Sequence, residues 1–147
     1  MQKFLSLVTF ILVLSCNEPL QKTVPTKSKA APEVRSCYQY VGDKDIIVLM
    51  LISKNDTITG TLSYTLYQKD NSRGTIQGQM RGDLLVADYT FQSEGVLSKR
   101  QVAFKKSGTT FIEGYGEATN ENNRIVFKNL DSLDFSHTVI LNKVLCK

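Results

Sequence analysis

The sequence predicts an all-β domain that folds as a small antiparallel up-and-down barrel of eight or nine strands. Apolar and polar side chains alternate along several segments, as they do in strands with one buried face. Turn residues recur about every 8 to 12 positions, which is typical of antiparallel meanders. Because a closed barrel has no exposed sheet edge, we favour it over the alternative, a two-sheet β-sandwich.

Nine segments rich in β-branched and apolar residues are predicted strands. Alternation is clearest in the third, where Ile58, Leu62 and Tyr64 share a face, and in the fifth, where Leu85 and Tyr89 do. These faces are predicted to be buried. The nine segments, in chain order, are residues 37–41, 46–53, 57–67, 74–81, 84–92, 96–105, 109–118, 124–127 and 138–145.

The connections between these strands fall into two sets if the meander holds. Gly82-Asp83 suits a tight hairpin with a positive φ at Gly82. Only residues 129–137 could form a short helical turn. One end of the barrel should hold the longer loops, where a ligand would enter, and the chain should join the domain at the other. The first end takes residues 42–45, 68–73, 93–95 and 119–123, and the second takes 54–56, 82–83 and 107–108.

The chain begins with an apolar run from Phe4 to Ser15, behind Lys3. Twelve residues are too few for a bilayer, which takes about 20 in a helix, so the run is read as a signal peptide. Its end, Val13-Leu14-Ser15-Cys16, resembles the lipobox of bacterial lipoproteins. The resemblance implies cleavage before Cys16 and lipidation of Cys16, with fatty acyl chains such as palmitate. A secretion signal without lipidation is the alternative.

A proline-rich segment separates Cys16 from the folded domain. Residues 16–35 contain all three prolines and no aromatic residue, so we predict a flexible tether. Its basic residues could contact anionic headgroups, although a solvated linker is the simpler interpretation. Asn17, rather than Asp, follows the lipidated position, which by resemblance favours the outer membrane. The predicted domains are residues 1–15, 16–35 and 36–147.

Cys37 and Cys146 lie at opposite ends of the predicted barrel domain. In an exported protein such a pair predicts one disulfide joining the first strand to the last. The rival interpretation, a catalytic or metal-binding thiol, lacks a nearby histidine or second cysteine. A loop of about a hundred residues gives such a bond up to about 4.7 kcal/mol in the chain-entropy model.

Few residues in the chain are suited to catalysis. His137 is the only histidine, so a multi-histidine metal site and a serine–histidine triad both lack parts. A net charge of +4 on dispersed basic residues gives no footprint for nucleic acid. We therefore expect a protein that is not an enzyme, needs no cofactor or metal, and does not bind nucleic acid.

The segment from Phe111 to Glu117 presents two different faces if it is a strand. One face carries Phe111, Glu113, Tyr115 and Glu117, and would line the interior with two carboxylates, possible partners for Arg100. The other carries glycines, which would let a small barrel pack tightly. We favour the glycine face as the inner one. The carboxylates of Glu113 and Glu117 would lie roughly 13 Å apart along a strand, too far for glycoside hydrolysis.

Two classes of function remain. The first is a binding module similar to lipocalins in architecture alone, which takes a small apolar or amphipathic ligand into a cavity lined by Tyr89, Phe91, Phe104 and Tyr115. The charged residues Arg100, Glu113 and Glu117 complete the seven candidate ligand-binding residues. The second is an interaction or inhibitor lipoprotein of the cell envelope, which binds a protein through its loops. A cavity of roughly 300 Å³ or more would favour the first and a filled core the second.

Overall fold

The structure is a computed structural model that describes residues 32–136 and 139–147. The predicted signal peptide, Cys16 and most of the predicted tether lie outside the described residues, as does His137. No helix in the described ranges is long and apolar enough to cross a bilayer. The strands are β1 (Val34–Val41), β2 (Ile46–Lys54), β3 (Thr57–Thr65), β4 (Ser72–Arg81), β5 (Leu84–Ser93), β6 (Val96–Ser107), β7 (Thr110–Gly114), β8 (Ala118–Glu121), β9 (Arg124–Phe127) and β10 (Ile140–Val144).

Eight of these strands form a closed antiparallel barrel. Strands β1 to β6 pair in chain order, and β7 follows β6. Strand β10 then lies between β7 and β1 and closes the ring. The predicted all-β barrel is confirmed. The first strand begins at Val34, three residues before its predicted start at Cys37.

Strands β8 and β9 form a hairpin outside this ring. The strand predicted over residues 109–118 is shorter in the structure, because β7 leaves β6 after Gly114 and β8 begins only at Ala118. Tyr115 pairs with Asp134 instead, and β9 takes a place beside β6 in parallel orientation at Arg100 and Ile125. The seventh connection is therefore residues 115–117, whereas most of the predicted 119–123 link belongs to β8.

A crossing segment explains why β7 stops where it does. An added Cβ at Gly114 would lie 2.4 Å from the ring of Phe135, and one at Gly116 would lie 2.7 Å from Leu133. The two glycines therefore let residues 133–135 cross close over the outer side of the strand. The described part of the predicted helical turn, residues 129–136, contains no helix. Asn129 organises a turn there by accepting a hydrogen bond from the Asp131 amide at 2.9 Å.

The turns sort the barrel into two ends. We call the end with the β1–β2, β3–β4 and β5–β6 connections the open end, and the opposite one, where β1 begins, the tether end. Because β9 runs parallel to β6, the β8–β9 turn also points toward the open end. The two predicted loop sets therefore remain separate. Gly82, in the β4–β5 turn, has the predicted positive φ, at 64°.

The half of the barrel toward the tether end is filled with apolar side chains. Each would contribute roughly 1.5–3 kcal/mol by full burial. Tyr38 and Phe111 meet edge to face here, with ring centroids 4.8 Å apart. The predicted inward faces of β3 and β5 are confirmed. The side chains with no exposed surface include Leu49, Leu62, Leu85, Phe104 and Leu141.

A disulfide joins the two ends of the folded chain. Cys37 in β1 bonds to Cys146, two residues beyond β10, over a sequence separation of 109. Cys37 is also paired in the sheet with Val144, so the bond reinforces the seam between the first and last strands. The predicted pairing is confirmed.

Candidate functional site

The barrel is hollow at its open end. A cavity of about 420 Å³ lies above the filled half and opens between the loops. It is reached from the end predicted for ligand entry, although residues 120–123 do not line it. The lining residues are Tyr40, Asp45, Ile47, Tyr64, Leu66, Lys69, Asp70, Ser72, Phe91, Ser93, Arg100, Glu113, Tyr115 and Val139.

The cavity is amphipathic, with charged groups both deep inside and at its rim. Loop residues Asp45, Lys69 and Asp70 form part of the rim. Arg100 and Glu113 project inward from β6 and β7. Apolar and aromatic side chains, including Ile47 and Phe91, also line the cavity. Such a cavity suits a ligand with both apolar and polar parts.

Glu113 is the buried carboxylate of the interior. Alternation along β7 turns it inward together with Phe111, and only 4% of its surface is exposed. The Tyr64 hydroxyl donates to Oε1 at 2.6 Å, and the Tyr115 hydroxyl donates to Oε2 at 3.0 Å. Burial raises the pKa of Glu113, because loss of hydration outweighs both hydrogen bonds and the nearby Arg100 charge.

The two tyrosines that contact Glu113 are held as hydrogen-bond donors. Burial raises the pKa of Tyr64 well above its ordinary value, and the Glu113 carboxylate raises it further. Burial and Glu113 also raise the pKa of Tyr115. Both hydroxyls therefore keep their protons in neutral solution and direct them at the carboxylate.

Arg100 is the cation of the interior and has aromatic neighbours. Its guanidinium carbon lies 5.3 Å from the ring centroid of Tyr64, 5.7 Å from that of Tyr89 and 5.6 Å from that of Phe91. These are cation–π distances. Among the described residues Arg100 forms no salt bridge within 4.0 Å. Its Nε atom is buried without a hydrogen-bond partner, a state that costs about 1–3 kcal/mol for a buried donor.

Tyr89 lies directly beneath the cavity. Its side chain has no exposed surface, its ring stacks on Phe91 with centroids 4.6 Å apart, and its hydroxyl donates to Ser72 Oγ at 3.1 Å. Burial raises the pKa of Tyr89. Tyr89 therefore positions two residues of the wall, Phe91 and Ser72, without lining the cavity itself.

The structure brings together four of the seven predicted ligand-binding residues. Phe91, Arg100, Glu113 and Tyr115 line the cavity, and Tyr89 supports it. Phe104 lies in the filled core instead, with no exposed surface.

Glu117 lies on the outer surface. Its side chain is 83% exposed and forms a salt bridge with Lys128 at 3.1 Å. Strand β7 ends before Glu117, so the inward alternation of Phe111 and Glu113 does not reach it.

The favoured orientation of the segment from Phe111 to Glu117 is wrong. The structure turns Phe111 and Glu113 inward, while Gly114 faces outward under Phe135. The inner face carries only one buried carboxylate, because Glu117 lies beyond the end of β7.

Tyr64, which donates the shortest hydrogen bond to Glu113, was not among the predicted site residues. The signal was present, because Tyr64 belongs to the inward row predicted for β3, but nothing in the sequence linked it to Glu113 across the barrel. The rim residues Asp45 and Lys69 belong to loops predicted for the entry end, but neither was named as a site residue, since loop residues carry no alternation.

A smaller cavity of about 180 Å³ lies where β7 diverges from β6. Three polar residues line both cavities: Arg100, Glu113 and Tyr115. They therefore lie between the open-end cavity and the smaller one. Ile125 and Val126 of β9 form part of its boundary.

The described residues contain no group of three or more histidine, cysteine, aspartate or glutamate side chains that could hold a metal ion.

Comparisons with protein-family models, with curated proteins and with solved structures find no match for this chain.

Proposed function

We propose that this protein is a lipid-anchored binding protein of the bacterial cell envelope that takes a small amphipathic ligand into its barrel. The cavity of about 420 Å³ at the open end carries the proposal. It exceeds roughly 300 Å³, the lower end of the usual size range of ligand-binding cavities, whereas a protein that binds its partner through loops needs no hollow interior.

The position of the cavity supports the same function. Its rim is formed by loops at the end opposite the start of β1, so a tether running to the membrane from that start leaves the mouth unobstructed. The filled half and the disulfide make a rigid base, which lowers the entropy cost of holding a binding cavity open. The role is binding rather than catalysis, and the outer membrane is the proposed location.

Native mass spectrometry of the full-length protein extracted in detergent tests this function. We expect a mass increase from acyl chains and a second increase from a retained small molecule. Ser93→Trp should fill the mouth and remove the small molecule, while the acyl chains remain. Gln92→Trp is the matched control, because Gln92 is exposed on the opposite face of the same strand. Equal retention of the small molecule by both variants would contradict binding in the cavity.

The anchor is tested separately with Cys16→Ala. Acylation at this position needs the thiol, so we expect the variant to incorporate no labelled palmitate and to leave the membrane fraction. Cys146→Ser, which keeps Cys16, should still be labelled. Labelling of Cys16→Ala would contradict the lipobox interpretation.

A further inference from the structure

We infer that the ligand carries a single carboxylate, which binds the guanidinium of Arg100 inside the open-end cavity. This inference rests on the proposed function and names the chemistry that the cavity selects. It depends on how the polar atoms of the interior are already paired.

The Glu113 carboxylate already has hydrogen-bond donors on both oxygens, whereas the Arg100 guanidinium has no acceptor on its buried Nε atom in the described part of the chain. Glu113 accepts one hydrogen bond on each carboxylate oxygen, from Tyr64 and from Tyr115. Both hydroxyl protons are therefore used. Arg100 forms no salt bridge among the described residues, and its Nε atom is buried without a partner. The unfilled hydrogen-bonding capacity is that of a donor group. Nε itself is enclosed, so an acceptor on the ligand would meet the terminal N–H groups of the guanidinium from the cavity that Arg100 lines.

The geometry of Arg100 favours a planar anion. Three rings hold the guanidinium, with centroids 5.3–5.7 Å from its central carbon, so its orientation is fixed before a ligand arrives. A guanidinium fork binds a carboxylate through two parallel hydrogen bonds, and fixed orientation reduces the entropy lost in making them. The aromatic side chains suit an apolar, ring-bearing group next to the carboxylate.

The surrounding charges favour one negative charge over two. Glu113 lines the same cavity, and at its rim the single cation Lys69 stands with two carboxylates, Asp45 and Asp70. A phosphate carrying two charges would bring more negative charge than one guanidinium neutralises, near a carboxylate that is already buried. A monocarboxylate instead pairs with Arg100 one to one.

Three probes of the same shape test the inference on the full-length protein in detergent micelles. They are phenylacetate, phenylacetamide and phenethylamine, which carry a negative charge, no charge and a positive charge. Binding is followed by NMR titration, including the Arg100 Nε–H resonance, which is identified by its loss in Arg100→Lys. We expect phenylacetate to bind about tenfold more tightly than phenylacetamide and to shift this resonance.

Variants distinguish an effect of the Arg100 guanidinium from an effect of positive charge in general. Arg100→Gln should remove the preference for phenylacetate over phenylacetamide, and Arg100→Lys should retain only part of it, because lysine lacks the fork. Lys99→Gln is the matched control: it removes an exposed cation from the adjacent outward position and should leave the preference unchanged. Circular dichroism checks that each variant is folded. If Arg100→Gln unfolds, two other results test the assignment: the reduced preference of Arg100→Lys for phenylacetate, and the shift of the wild-type Arg100 Nε–H resonance on adding phenylacetate.

The outcomes distinguish this inference from the function on which it rests. Equal binding of phenylacetate and phenylacetamide, blocked by Ser93→Trp, would overturn the carboxylate assignment and leave the binding cavity standing. A retained natural ligand that is neutral or cationic would do the same. Failure of all three probes to bind, or binding that Ser93→Trp leaves intact, would overturn the cavity as a binding site and the inference with it.

Discussion

Glu113 is the residue whose environment departs most from that of an ordinary surface carboxylate. It is buried, and two tyrosine hydroxyls and one guanidinium surround it without restoring its hydration. Its pKa is raised from the ordinary value of 4.5, so folding and protonation are linked at this single side chain.

Glu113→Gln should become more stable relative to the wild type as pH rises. Between the ordinary and the raised pKa the folded protein holds a proton that the unfolded chain has lost, so the wild type loses stability across that window. The stability that the wild type gains by holding this proton is complete below the ordinary pKa of Glu113 and is lost above the raised one. Glutamine cannot ionise and escapes the loss, which is about 1.4 kcal/mol for each pH unit by which the pKa is raised.

Urea unfolding of both proteins between about pH 4 and about pH 8 measures this effect. Other carboxylates titrate in both proteins, so the difference between their free energies of unfolding isolates Glu113. A difference that stays constant across the range would contradict a raised pKa at this residue.

Tyr64→Phe removes the donor of the shortest hydrogen bond to Glu113, at 2.6 Å. The buried carboxylate then keeps only one tyrosine donor, and we expect the free energy of unfolding to fall by about 1–3 kcal/mol. The pKa of Glu113 should rise further. Tyr67→Phe, at a residue 51% exposed, is the control and should stay within about 0.5 kcal/mol. Similar losses from the two variants would show that the buried bond does not stabilise the fold.

At the scale of elements, the turns and inward rows were predictable but the end of β7 was not. Strands β2 to β6 follow their predicted bounds closely, because alternation and turn residues are local signals. Glycine content pointed to the wrong inner face for β7. The deciding contacts come from Leu133 and Phe135, about twenty residues downstream, which pack on Gly114 and Gly116 from outside. The pattern of residues within one strand cannot predict that a distant segment packs on its outer side.

Gly114→Ala should destabilise the barrel, because its Cβ would lie 2.4 Å from the Phe135 ring. The ring can shift, so we expect a loss of about 1–3 kcal/mol rather than unfolding. In a Phe135→Ala background the same substitution should cost less, since the obstructing ring is gone. A double-mutant cycle by urea unfolding measures this coupling. Additive losses would show that the Phe135 ring does not restrict the residue at position 114.

At the scale of the whole molecule, the barrel divides into a filled half and a hollow half. The sequence predicted closure, the separation of the two loop sets and the disulfide, because these follow from strand order and cysteine positions. It left open whether the interior is hollow. That property depends on how side chains from opposite strands meet, as Tyr64 and Glu113 do over 49 positions of sequence. Four of the seven predicted lining residues nevertheless reach the cavity.

The Cys37–Cys146 disulfide should stabilise the whole barrel rather than one part of it. It joins β1 to the residue two positions beyond β10, and it closes nearly the entire described chain into one loop. Replacing both cysteines by serine leaves no free thiol from the pair and releases that constraint in the unfolded state. We expect the free energy of unfolding to fall by up to about 4.7 kcal/mol, with lower denaturant midpoints for every spectroscopic probe.

A reductant provides the matched control for this double variant. It should lower the unfolding midpoint of the wild type toward that of Cys37→Ser/Cys146→Ser and leave the double variant unchanged. If the reductant lowers both midpoints equally, the effect does not come from this bond. If it lowers neither, and the double variant unfolds with the wild type, then the seam between β1 and β10 is held by its backbone pairing alone.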